Sequence, residues 1–383
     1  MEATRSTRHS GRKIALAGLL TGAEIGVSPR RARRDRCGTT VGVTTDDGVR
    51  LAADVDECPS PEYAVVFAHG WVLNRQAWRF QRRALAGTAT LVFYDQRGHG
   101  GSAPGPDGSL TVDRLGDDLA AVVERTVPDG VPVVVAGHAM GSVAIMSLAA
   151  RRPELFGSRI VGSVLLSPSC GRLAYEALVP ARWRTVAGPP DSGESGARIA
   201  PVIPLHLDRG PDRGLDRGDV AHEGAGRYGR GAWRGRASAP GSCSIPETHV
   251  GTTAARPGAR GVGGDPRCGA SKARAKRDHL RFVYERVEAT PTETMTGHLH
   301  DLLVREDPAL LSALRRAQTM IMVGSGDRLT PPMHSRRIAD LLPEAVLTVV
   351  AGAGHLLALE RPDVVNRALR GFLLDCRDRA RQR

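Results

Sequence analysis

The stretch Gly137-His138-Ala139-Met140-Gly141 has the spacing of a sharp turn between two regular elements. The apolar run from Pro132 to Ala136 reads as a buried strand leading in, and residues from about Met140 to Arg151 read as a helix that stops near Pro153. Flanking glycines let a chain turn this tightly because they carry no Cβ. The turn lifts its central side chain above the strand at a helix N-terminus. A nucleophile held there would attack a carbonyl, but the residue is Ala139, and a methyl group cannot. Ser142 lies most of a helical turn onward and points into the helix region, away from where a base would have to reach.

Two later residues have types suited to the same chemistry. Asp327, in Gly326-Asp327-Arg328-Leu329-Thr330-Pro331, begins where the apolar run Thr319–Val323 ends. An aspartate there can orient an imidazole and stabilise its charge. His355, in Gly354-His355, follows the run Val346–Val350, where a histidine can act as general base and acid. Taken singly, Asp327 reads as a capping residue and His355 as a loop histidine. Their order after the glycine-flanked turn points to one site. His69-Gly70-Trp71 ends an early strand, with His69 expected to be a structural hydrogen-bonder. Asp95-Gln96-Arg97-Gly98-His99-Gly100-Gly101-Ser102 reads as a structural loop built on glycine turns and Asp95–Arg97 polar bonds.

The elements that must position these residues alternate regularly. Val41 to Val55 reads as a hairpin around Asp46-Asp47-Gly48, since Asp-Gly is a strong turn signal. Continuous apolar runs at Tyr63–Ala68, Leu91–Tyr94, Pro132–Ala136 and Val161–Leu166 suit strands buried on both faces. Helical spacing appears at Gln76–Ala86, Leu115–Val127, Thr292–Val304, Pro332–Leu342 and Val364–Leu374. This alternation predicts an α/β chain with a mostly parallel sheet and helices on both faces. From about Arg184 to Arg277 the periodicity vanishes, and it returns near Leu280. Residues 201–270 hold 15 glycines, 10 arginines and 7 prolines, too little apolar surface to offset the ordering entropy. This stretch reads as either a disordered insertion or a translated frameshift.

The strand–turn–helix context of Gly137 to Gly141, followed in order by Asp327 and His355, resembles the α/β-hydrolase superfamily. The neighbourhood is that of esterases, lipases, epoxide hydrolases and non-haem peroxidases, over about 39–170 and 280–375. The resemblance implies the α/β-hydrolase fold with an inserted cap region. It implies catalytic positions at Ala139 (nucleophile), His355 and Asp327, and an oxyanion hole from the main-chain N–H groups of Trp71 and Met140. Gly137, His138, Gly141, His69 and Gly70 would shape the elbow and loop. No metal or organic cofactor is implied, and the ancestral substrate would be a small ester-like or lipid-like molecule. Ala139 departs from the family's serine. Three readings follow: a non-catalytic small-molecule binder, a hydrolase deprived of its nucleophile, or weak catalysis in which His355 and Asp327 activate water directly.

The net charge of +12 invites comparison with nucleic-acid binders, but its distribution argues against one. Residues 1–37 and 201–280 each carry a net +6, and the remainder, which holds every motif above, is neutral. No nucleic-acid partner is expected. Cys37, Cys58, Cys170, Cys243, Cys268 and Cys376 are dispersed without a Cys-x-x-Cys pair, which suggests neither a zinc site nor a disulfide framework. The organisation expected is a basic tail (1–38), a first core half (39–170), a low-complexity cap or insert (171–279), a second core half (280–375) and a basic C-terminal tail (376–383). The apolar stretch Ile14–Val27 falls short of the roughly 20 residues that span a bilayer. A cytoplasmic protein is expected, with the basic N-terminus either a flexible tail or a weak membrane-surface anchor.

Overall fold

A computed structural model describes residues 38–169, 266–304 and 308–382. The basic N-terminal stretch and residues 170–265 lie outside the described residues, so most of the segment read as disordered or frameshifted does too, while its end from Pro266 to Arg277 is helical. The expected hairpin forms from β1 (Thr39–Thr44) and β2 (Arg50–Asp56), and its turn is closed by a Gly48 N–H to Thr45 carbonyl bond. Next come β3 (Ala64–Ala68), α1 (Arg79–Leu85), β4 (Thr90–Tyr94), α2 (Val112–Thr126), β5 (Val133–His138), α3 (Met140–Arg151) and β6 (Ile160–Leu166). The second half supplies α4 (Pro266–Ala289), α5 (Thr292–Val304), β7 (Gln318–Gly324), α6 (Pro332–Leu341), β8 (Val346–Val350) and α7 (Pro362–Arg381).

These strands form an eight-stranded sheet in the order β1-β2-β4-β3-β5-β6-β7-β8. β1 and β2 pair antiparallel, β2 meets β4 antiparallel, and every other neighbouring pair is parallel. The continuous apolar runs are explained by the pleat, which sends successive side chains to opposite faces. Ala64, Val66, Val133 and Val135 join the core on one face; Val65, Phe67, Val134 and Ala136 join the core on the other. Helices cover both faces, so each residue of these strands is buried, as the sequence predicts.

Two boundaries differ from expectation. Helix α4 begins at Pro266 and runs through the point where order was expected to resume near Leu280, so the boundary at 279/280 falls inside a helix. Helix α7 continues to Arg381, so most of the expected tail from 376 is helical, with Cys376 buried beneath it. Apolar spacing underlay both expectations, and a helix can run on after that spacing fades from the sequence. Among the described residues, no helix is long and apolar enough to cross a membrane.

Candidate active site

The turn between β5 and α3 is built by backbone crowding. Ala139 sits at φ 49°, ψ −110°, a conformation that non-glycine residues rarely adopt and that costs on the order of 1–3 kcal/mol. Its N–H donates to the Leu166 carbonyl at 2.9 Å, and its own carbonyl accepts from Ser142 N at 2.9 Å and Val143 N at 3.1 Å, which starts the helix. The flanking glycines are needed for space. A Cβ on Gly137 would lie 2.4 Å from the Gly141 carbonyl, and one on Gly141 would lie 2.1 Å from the Ala68 carbonyl oxygen. Ser142 points inward as expected: fully buried, its Oγ lies 2.9 Å from the Gly137 carbonyl and 3.3 Å from that of Leu166.

Asp327 and His355 come from the loops after β7 and β8. His355 Nδ1 lies 3.0 Å and 3.1 Å from the two Asp327 carboxylate oxygens, and both side chains are buried. The carboxylate also accepts from the Leu329 and Thr330 main-chain N–H groups at 3.0 and 2.9 Å, so Asp327 ties down its own loop as well. Burial pushes the Asp327 carboxyl up, but the facing imidazole and the Thr330 amide outweigh it and hold the pKa below the ordinary value. With Nδ1 engaged, Nε2 is the His355 nitrogen left for a substrate or nucleophile. One participant escaped the sequence reading. Thr330 Oγ1 lies 3.0 Å from Asp327 Oδ2, 3.2 Å from His355 Nδ1 and 3.0 Å from the Ser167 carbonyl. Its position three residues after Asp327 was the available signal, since an aspartate loop commonly closes onto that residue.

His138 packs beneath this pair. Its Nε2 lies 2.8 Å from the His355 carbonyl and donates to it, and the two rings are 5.0 Å apart. Gly70 passes so close that a Cβ there would meet His138 Nδ1 at 2.5 Å. His69 is the structural hydrogen-bonder expected: Nδ1 donates to the Gly70 carbonyl at 2.8 Å and Nε2 accepts from Gln96 N at 2.9 Å. The Asp95–Arg97 pairing does not form. Asp95 instead accepts from Arg75, both main chain and guanidinium, and from Gly101 N, while Arg97 pairs with Asp118 and Asp47. The loop turns at Gly98 and Gly100, both at positive φ, and sends the two side chains to different partners.

Ala139, Met140, Trp71, His138, Thr330 and His355 line one pocket that opens to solvent. Leu73, Val143, Leu299, Leu302, Leu329 and Leu356 make the rest of its wall mostly apolar. The sequence-predicted residues are thus brought to the carboxyl ends of the parallel strands, where open α/β sheets bind ligands. Asp327 stands behind the wall, against His355.

Comparison with known proteins agrees with this architecture. The chain is 37% identical over 113 residues to a bifunctional esterase/perhydrolase from Acinetobacter calcoaceticus, covering 29% of this chain and 40% of that one. It is 36% identical over 104 residues to a non-heme chloroperoxidase from Kitasatospora aureofaciens, covering 27% of this chain and 36% of that one. The chain therefore spans less than half the length of these curated relatives. A thermophilic esterase from Thermogutta terrifontis shares the fold, with a TM-score of 0.56 and 20% identity, over 89% of this chain and all of that one. Residues 65–368 match the alpha/beta hydrolase family, and with a sheet of this order and a match of this extent the chain belongs to that family.

Proposed function

We propose that the site is the hydrolytic centre of an esterase-like enzyme for small, moderately apolar esters, with its nucleophile position occupied by Ala139. The observation that carries this reading is that Ala139, held at the strained head of α3, lines the same cavity as His355, whose Nδ1 is backed by Asp327. With serine at 139, the hydroxyl oxygen would attack the acyl carbon while His355 Nε2 takes its proton. His355 would then return that proton to the departing alkoxide. Water would release the acid in a second cycle of the same kind. The Trp71 and Met140 main-chain N–H groups would stabilise the oxyanion, and the leucine wall would take the apolar part of the substrate. No step of this route calls on a metal or organic cofactor.

Restoring the hydroxyl is the direct test. Ala139→Ser should raise turnover of short p-nitrophenyl esters at least about 10²-fold, given what loss of a serine nucleophile costs elsewhere. Equal turnover by the native chain and the variant would overturn this reading and favour water activated directly by His355 and Asp327. A second reading is favoured by Ala139 itself: a binding module that keeps the pocket without chemistry. Saturable ester binding without turnover in both forms would support it.

A further inference from the structure

Val72 has φ 56°, a left-handed conformation that a β-branched residue rarely adopts. It is the third residue of a turn closed by Leu73 N–H to the Gly70 carbonyl at 3.1 Å, a place where positive φ normally calls for glycine or asparagine. Something outside the turn must over-determine it. The Val72 N–H donates to His99 Nε2 at 3.2 Å. His99 Nδ1 lies 3.0 Å from the Arg97 carbonyl, which can only accept, so Nδ1 carries the ring proton and Nε2 offers a bare lone pair. The ring is buried, and burial pushes its pKa down to about 3, so this lone pair persists at neutral pH.

His69 does the complementary job one peptide earlier. Its Nδ1–H holds the Gly70 carbonyl, and the two rings meet edge-on at 5.2 Å. The two peptide units flanking Trp71 are therefore each held by one imidazole. A trans peptide points its N–H opposite its C=O. With the Gly70 carbonyl committed to His69 and Leu73, the Trp71 N–H is directed the other way. Helix α5 braces the arrangement: the His298 ring lies 5.5 Å from His99, and the Trp71 indole N–H donates to the Met295 carbonyl at 3.2 Å.

We propose that His99 is a positioning residue for the oxyanion pocket: its Nε2 locks the Trp71–Val72 peptide in the left-handed Val72 turn, whose closing bond from Leu73, together with His69, holds the Gly70–Trp71 peptide and so the Trp71 N–H toward the developing oxyanion. The catalytic part of this inference rests on the ester-hydrolysis reading above.

The test compares His99→Phe, which keeps a ring and drops the acceptor, with His99→Gln, which offers an amide oxygen near the place of Nε2, both combined with Ala139→Ser. Losing one oxyanion donor costs about 10²–10³ in kcat, so a donor left in place but misdirected should cost at least about tenfold. We expect that loss in kcat with KM within about twofold for Phe, and recovery to within about threefold for Gln. An unchanged kcat in the Phe variant, or an equal loss in both, overturns the proposal. Two readings on the native chain need neither turnover nor a variant. The Val72 amide should exchange slowly with solvent, and the His99 ring nitrogens should show the Nδ1–H tautomer in a long-range nitrogen–proton spectrum. A freely exchanging Val72 amide or the opposite tautomer overturns the proposal even if Ala139→Ser proves inactive. An inactive Ala139→Ser with both signatures present overturns only the hydrolase reading.

Discussion

On the proposed reading, one missing hydroxyl at residue 139 separates this site from one that could act. Ala139 retains a conformation that alanine alone has no reason to adopt. The elbow should therefore be intolerant of added bulk. Gly141→Ala places a Cβ 2.1 Å from a main-chain oxygen, and we expect it to lower stability by about 3 kcal/mol or prevent folding, as read by urea denaturation. Asp327 should matter through His355. Combined with Ala139→Ser, Asp327→Asn should lower kcat by about 10³–10⁴, because an amide no longer enforces the Nδ1–H tautomer. A loss below tenfold in steady-state assays would remove Asp327 from the reaction. Thr330→Val deletes a hydroxyl whose single proton lies within reach of the Asp327 carboxylate and the Ser167 carbonyl, and should cost about 1–3 kcal/mol of stability. The sequence made Ala139, Asp327 and His355 legible because their order and their strand-end contexts are written locally. It did not make Thr330 or His99 legible, because a hydroxyl or an imidazole in a loop acquires its role from a partner that only folding brings near.

Among the elements, α5 does two jobs. It braces the Gly70–Leu73 turn through Met295 and His298, and it supplies Leu299 and Leu302 to the cavity wall. Shortening Leu299 should enlarge the apolar end of the cavity without touching the reacting atoms. In the Ala139→Ser background, Leu299→Ala should shift the kcat/KM ratio of octanoate to butyrate esters at least about fivefold toward the longer chain, since one or two methylenes are worth about 1–3 kcal/mol. An unchanged ratio would place the acyl chain elsewhere. The central strands follow their sequence closely because each must bury both faces, which leaves only apolar residues acceptable. The edge strand β8 is different: Val346 is 62% exposed and Val349 39%, so its apolar run reads like a buried strand but is buried chiefly at Val350. Periodicity cannot distinguish an edge from a centre when both are written in valine.

At the scale of the molecule, four of the buried histidines among the described residues make the fold sensitive to acid. Burial pushes His69, His99, His138 and His298 down to about 3. In the unfolded chain each returns to its ordinary value of about 6.5. Between those values the unfolded chain binds protons that the folded one refuses, so stability is full above pH 6.5 and falls as the pH drops through that window. Each histidine can contribute a slope of up to about 1.4 kcal/mol per pH unit. Unfolding free energies measured from pH 8 down to 4 should show this fall, reduced in a His298→Gln variant. A flat profile across that range would mean that these rings are protonated in the fold.

What the sequence determined by itself was the order of strands and helices, the glycine-flanked elbow and the three positions of the site. Each is specified by short-range rules: apolar runs, a turn that excludes side chains, and residues placed just after strand ends. The partners were decided by tertiary structure alone. Asp95 could have met Arg97 and meets Arg75 instead, two histidines thirty residues apart share one turn, and Thr330 joins the Asp327–His355 pair. Such pairings follow from which loops the parallel sheet gathers at one end, and they depend on strand order, which local pattern does not encode.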